Sequence, residues 1–130
     1  EKNAKAIFYR CRLFAYTVFG QGNKEPISTV EQAITWVREN AKKGADGIKF
    51  FGAPPEIMKA ALEENKKLGL RSACHHAQMD VARWNVLNSA RAGLTSMEHW
   101  YGLPEALFSN ALFIFILSVA SMFLPIMPPK

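Results

Sequence analysis

Apolar residues recur at the spacing of a helix in three segments of the chain. Before the first segment, Ser28 and Glu31 have the spacing of a capping box, and Gly44 supplies its stop. The second segment opens with Pro54 and Pro55, which are tolerated at a helix N-terminus. The three predicted helices therefore begin near residues 28, 54 and 81, and they end near residues 44, 69 and 93.

Short apolar runs separate these helices and predict strands. The runs cover residues 47–51, 70–75 and 94–98, and an aromatic-rich stretch at residues 6–18 suggests one strand more. Strands that alternate with helices are typical of right-handed βαβ units and of a parallel sheet covered by helices. The pattern predicts an α/β fold with four strands in view.

Three residues with acid–base or ligand chemistry stand at the ends of successive predicted strands. They are Lys49, His76 and His99, separated by 27 and 23 residues. In a parallel sheet the carboxyl ends of the strands open on one side, where active sites form. Strand parity counted from Cys74 favours His76 over His75 for this side, and it favours His99 over Glu98.

The motifs that contain these residues resemble a known family. The run Gly44–Phe50, then His76-Ala77-Gln78, then Ala92–His99, resembles the middle of a metal-dependent amidohydrolase of the imidazolonepropionase-like or prolidase-like kind. The resemblance covers roughly residues 29–107. It implies a partial (β/α)8 TIM barrel, about strands 3 to 6, in which Lys49, His76 and His99 end the fourth, fifth and sixth strands. A complete barrel has about 250 residues, so we expect the chain to be a fragment.

The resemblance also implies a chemistry. In such enzymes the lysine matching Lys49 is carboxylated and bridges two divalent metal ions, usually zinc, and the histidines matching His76 and His99 bind one of them. The metals activate water for hydrolysis of an amide or other C–N bond in a small or peptide-like substrate. The family's His-x-His pair and its strand-end aspartate have no counterpart here, so we expect the chain to be inactive alone.

Two alternative functions remain open from the sequence. The run from Gly44 to Lys49 also resembles the Schiff-base strand of a class I aldolase, in which a lysine amine attacks a carbonyl carbon. The histidines at the next two strand ends favour a metal site over the aldolase interpretation. A second alternative is a non-catalytic fragment that binds a membrane or a partner through its apolar tail.

Charge divides the chain into two regions. The sequence has 16 basic and 11 acidic residues, and all but Lys130 precede Ala106. We therefore predict a barrel segment at residues 1–105 and an uncharged tail at residues 106–130, with residues 107–127 available to a membrane. The tail has three interpretations: a membrane helix, a buried element or a non-native ending. The net charge of +5 is scattered along the chain, so nucleic-acid binding is not expected.

Overall fold

The chain alternates between strands and helices in the computed structural model, which describes residues 13–77, 80–81 and 83–107. The elements are β1 (Tyr16–Val18), α1 (Val30–Lys42), β2 (Gly47–Phe50), α2 (Pro55–Lys67), β3 (Arg71–His75), α3 (Val86–Ala92), β4 (Ser96–Glu98) and α4 (Leu103–Leu107). The strands form one sheet in the order β1-β2-β3-β4, and each neighbouring pair is parallel. The predicted α/β class is confirmed.

Helix α1 begins one residue later than the Ser28/Glu31 pair predicts. Thr29 is its N-cap: the Thr29 hydroxyl accepts from the Gln32 N–H, and the Gln32 side chain accepts from the Thr29 N–H. Gln32 also accepts from the Ser28 N–H at 2.9 Å. The sequence thus contains two overlapping capping-box patterns, and the structure forms only the one between Thr29 and Gln32, whose side-chain oxygen accepts from two backbone N–H groups.

Helix α3 is shorter than the sequence predicts. It begins at Val86, after an N-cap at Asn85 that forms a capping box with Asn88. Val81 and Trp84 precede it in turns, although Val81 is buried. Their apolar character reflects burial outside a helix, which periodicity alone does not distinguish from a helical stripe.

The core lies between one side of the sheet and the helices. From β2 it takes Ile48 and Phe50, and from β3 it takes Cys74, all three without solvent exposure. They pack with side chains of α1, α2 and α3, namely Ala33, Trp36, Val37, Ile57, Met58, Ala61, Leu62 and Ala92. Cys74 is therefore a core residue, and burial raises the pKa of its thiol to about 12.

The other side of the sheet has no helix over it within the described ranges. Because side chains alternate along a strand, Lys49 points away from Ile48 and Phe50. The register pairs Lys49 with Ala73, and His75 with Glu98. We call this side the open face; it carries Tyr16, Val18, Lys49, Ala73, His75, Ser96 and Glu98.

The predicted division at residue 106 falls inside α4, and residues 108–130 lie outside the described residues. The apolar tail and the membrane segment at 107–127 therefore stay predictions. Of the helices that the structure does describe, none has the length and hydropathy needed to cross a bilayer. Four parallel strands with helices on one side are consistent with part of a barrel, and they do not by themselves define one.

An ion pair between the exposed Arg38 and the buried carboxylate of Glu64 joins α1 to α2. Arg38 Nε donates to Glu64 Oε1 at 2.7 Å, and the Glu64 side chain is only 5% exposed. The hydrogen bond from Arg38 lowers the pKa of Glu64, and the charges of Arg38 and Lys67 add to that effect, whereas desolvation opposes it. The ionised carboxylate therefore helps to hold the two helices in place over the sheet.

We expect Glu64→Gln to lower the urea midpoint of unfolding at pH 7. The pKa of Glu64 is lowered in the folded state, so its contribution is present above the carboxyl's unfolded pKa and is lost as pH falls through the folded pKa. The difference from wild type should therefore shrink in acid. Glu63→Gln is the matched control, since Glu63 is 47% exposed and reaches Lys59 only at 3.9 Å. Equal midpoints for the two variants at pH 7 would contradict the assignment.

Candidate functional site

Lys49 lies on the central strand β2, half-buried and on the open face. Its ammonium nitrogen is 5.5 Å from the centroid of the Phe51 ring. Lys49, with Tyr16, Val18, Ala73, Ser96 and Glu98, lines a cleft of about 440 Å³ on this face. The side chain is therefore available to chemistry on the uncovered side of the sheet, at the carboxyl end of its strand.

His75 and His99 form an imidazole pair beside this cleft. Their ring centroids are 4.7 Å apart, with an interplanar angle of 72°. His75 is the last residue of β3 and is half-buried, whereas His99 directly follows β4 and is exposed. The predicted placement of His99 at a strand end, on the same side as Lys49, agrees with the structure.

His99 reaches this position through an unusual backbone conformation. Its φ is +65°, the only positive φ of a non-glycine residue in the described part of the chain. Continuing the alternation from Met97 would place His99 opposite Glu98, on the helix side. The left-handed conformation breaks that alternation and is uncommon outside glycine. Backbone strain of this kind concentrates at functional sites.

Aromatic rings surround the imidazole pair. The Phe51 ring lies 5.7 Å from the His75 ring, and the Tyr101 ring lies 5.4 Å from His75 and 6.3 Å from His99. Phe51 thus contacts both Lys49 and His75 and links the two halves of the site. Tyr101 therefore lies close to both imidazole rings.

The prediction that His76 shares the face of Lys49 is wrong. His76 is 3% exposed and lies on the helix side, where its Nε2 is 2.9 Å from Ser89 Oγ. The Trp84 indole N–H donates to the same Ser89 oxygen at 2.6 Å. Burial lowers the pKa of His76, and the neighbouring His75 lowers it further. Both effects favour the neutral imidazole, which packs between α3 and the sheet.

The parity error has a physical cause. The prediction counted alternation from Cys74 and put Ser72 and Cys74 on the site side, with His75 and Glu98 facing the helices. In the structure Ser72 and Cys74 are fully buried on the helix side, and the register places His75 and Glu98 with Lys49. His75 and Glu98 thus share the face of Lys49 and belong to the candidate site, whereas the sequence-based parity assigned them to the opposite side. The sequence feature that indicates the buried side of the sheet is in β2, where Ile48 and Phe50 face the helices.

Gly102 allows the loop after β4 to close over His76. Its φ is +87°, and a Cβ at this position would lie 3.3 Å from the Val86 nitrogen and 3.4 Å from His76 Cγ. The buried His76 thus supports the loop that carries His99 and Tyr101. Its Nδ1 has no hydrogen-bond partner among the residues the structure describes.

The predicted metal set does not assemble as a triad, because His76 is on the opposite side of the sheet from Lys49. No cluster of three or more His, Cys, Asp or Glu side chains suited to a metal ion occurs in the described ranges. The pair His75 and His99 does fit part of a zinc site, since neutral imidazoles are common zinc ligands. A separate cavity of about 580 Å³ beside Trp36 and the β1–α1 loop contains none of these residues.

The sequence was compared with profiles of known protein families and with curated proteins, and it matches none of them. The resemblance to amidohydrolases therefore rests on the motifs themselves.

We expect Ser89→Ala to lower the free energy of unfolding by about 1–3 kcal/mol, because it leaves the buried His76 and the Trp84 N–H without their shared partner. The measurement is urea denaturation at pH 7. Ser96→Ala is the control, since Ser96 is exposed on the open face and its loss should change stability by no more than about 0.5 kcal/mol. Similar small losses in both variants would show that the His76 network is not a structural support.

Proposed function

We propose that this chain is part of a metal-dependent hydrolase of the amidohydrolase type. In this proposal β1 to β4 are about the third to sixth strands of a (β/α)8 barrel, and the open face is the barrel interior. The observation that carries the proposal is the shared position of Lys49, His75 and His99. All three lie on the uncovered side of a parallel sheet, at the carboxyl ends of three adjacent strands.

The proposed ligands differ from the motif-based set by one residue. His75 and His99 provide two imidazoles, and Lys49, once carboxylated, provides carbamate oxygens. His76 is assigned a positioning role, because it is buried against Ser89 and Gly102. Two imidazoles bound to one tetrahedral zinc at Zn–N distances of about 2.0 Å have ring centroids about 5 Å apart. The observed separation of 4.7 Å is compatible with that arrangement.

A divalent metal bound here would lower the pKa of a water molecule and polarise the carbonyl group of an amide or related C–N bond. The chain's own residues hold that chemistry in place. Phe51 and Tyr101 pack around His75 and restrict its ring, and the half-buried Lys49 lies along the cleft floor beside Ala73. The substrate class is a small-molecule amide or a peptide-like compound.

Zinc titration tests the ligand assignment. Isothermal titration calorimetry of the full chain should detect zinc binding, and His75→Ala or His99→Ala should weaken it by at least about tenfold, the effect of losing one strong contact of about 1.4 kcal/mol. In the wild-type protein, NMR should show zinc-induced shifts of the His75 and His99 ring protons and much smaller shifts for His76. No His76 variant is required, so a loss of folding cannot imitate the result. Shifts centred on His76 would contradict the assignment and restore the motif-based set.

The absence of the family's His-x-His pair from this sequence leads to a prediction about hydrolytic activity. We expect no zinc-dependent hydrolysis of amides or dipeptides, because the sequence holds only three histidines and lacks the family's His-x-His pair. The assay compares the full chain with and without zinc and bicarbonate. Zinc-dependent hydrolysis that Lys49→Ala abolishes would contradict the predicted inactivity. Borohydride trapping of a carbonyl compound on Lys49 would favour the aldolase instead.

A further inference from the structure

Three aromatic side chains lie around the imidazole pair, at the carboxyl ends of β2 and β4. Phe51 directly follows β2, and Trp100 and Tyr101 follow His99 after β4. Trp100 is 61% exposed, Phe51 is 50% exposed and Tyr101 is half-buried. We call Phe51, Tyr101 and Trp100 the aromatic rim. Exposed apolar surface beside a few convergent polar groups is typical of a ligand site.

The rings of the aromatic rim form a connected series with the proposed zinc ligands. The Trp100 and Tyr101 rings are 5.1 Å apart and only 30° from parallel. The His75 ring lies 5.4 Å from Tyr101 and 5.7 Å from Phe51. These separations fall in the range of about 4.5–7 Å at which aromatic rings attract one another. A ligand ring that packs on Tyr101 or Trp100 therefore extends this series and stays next to the imidazoles.

The chemistry of the site favours an aromatic ring over the other groups that bind to aromatic side chains. A cation is attracted to the face of a ring, but a divalent ion on His75 and His99 would repel it, since Tyr101 lies within 6.3 Å of both imidazoles. An aliphatic group gains only from the burial of apolar area. An aromatic ring gains from offset or edge-to-face packing as well.

We propose that the aromatic rim binds an aromatic ring of the substrate, and that the substrate class is an aryl amide, whose ring is attached close to the C–N bond that is hydrolysed. Tyr101 and Trp100 are then specificity-determining residues and take no part in the hydrolysis itself. The inference rests on the proposed function, because it takes His75 and His99 as the place where the amide group reacts.

A matched pair of amides tests this preference without requiring hydrolysis. Benzamide and cyclohexanecarboxamide have the same amide group on a six-membered ring, but only benzamide is aromatic. In NMR titrations of the full chain with zinc, benzamide should bind at least about threefold more tightly and should shift the Trp100 indole N–H and the Tyr101 ring protons. Equal affinities for the two amides would overturn the proposal, as would tighter binding of tetramethylammonium than of benzamide.

A substitution at Trp100 tests the contribution of the aromatic face. Trp100→Leu keeps an apolar side chain at an exposed position, and it should bring the affinities for the two amides to within about twofold of each other. Phe14→Leu is the matched control, because the Phe14 ring is 40% exposed but packs with Arg71 at the amino end of β3. An equal loss of the preference in both variants, or no loss in either, would overturn the assignment.

Acrylamide quenching tests whether the aromatic rim is accessible in the full chain. The sequence has three tryptophans, of which Trp36 is 4% exposed and Trp84 is half-buried. The fluorescence that is lost in Trp100→Leu should therefore be the part that acrylamide quenches most strongly. Protection of this part from acrylamide would show that another segment, such as residues 108–130, occupies the rim, and it would overturn the proposal.

The zinc-induced NMR shifts of His75 and His99 separate this inference from the proposed function. If both imidazoles shift with zinc and benzamide shows no preference, the aryl specificity is wrong and the proposed zinc ligands stand. If zinc shifts neither imidazole, the proposed function is wrong, and the aryl-amide assignment falls with it even where benzamide binds to the rim.

Discussion

The burial of alternate residues along β2 is the constraint on which the rest of this structure depends. Ile48 and Phe50 are fully buried between the sheet and the helices, and fully burying two such side chains contributes about 1.5–3 kcal/mol each. A strand cannot turn one of its side chains without turning all of them. Lys49 is therefore held on the opposite side, and the parallel register carries that choice to Ala73 and His75 on the next strand.

The alternation of strands and helices could be predicted from the sequence because caps, prolines and glycines mark the ends of each element. Lys49 and His99 could be found as strand-end residues for the same reason. The parity of β3 could not be found in β3 itself. Ser72, Ala73 and Cys74 are all small and all buried, so no contrast between apolar and polar positions marks the two sides. Only the pairing of β3 with β2, which is a feature of the tertiary structure, determines which β3 side chains face the helices.

The position of His99 shows a second limit. Its ring joins the His75 pair because the backbone at residue 99 takes a left-handed φ of +65°. The preference of histidine for a left-handed backbone is too weak to predict this conformation from the sequence. The conformation costs on the order of 1–3 kcal/mol. The surrounding loop must impose it, and Gly102 enables the loop to pack closely on His76. The predicted placement of His99 on the side of Lys49 agrees with the structure, although the simple alternation behind that prediction does not hold.

The adjacent histidines His75 and His76 therefore have different environments, although their side chains have the same chemistry. His76 is desolvated, which lowers its pKa and favours the neutral imidazole, and its Nε2 is hydrogen-bonded to Ser89. His75 lies on the side that nothing covers within the described residues, beside His99 and among aromatic rings. A metal ligand needs a free nitrogen and an approach from solvent, and a structural support needs neither. The one-residue alternation of the strand is thus sufficient to put one imidazole on the uncovered side of the sheet and the next one in the packed interior.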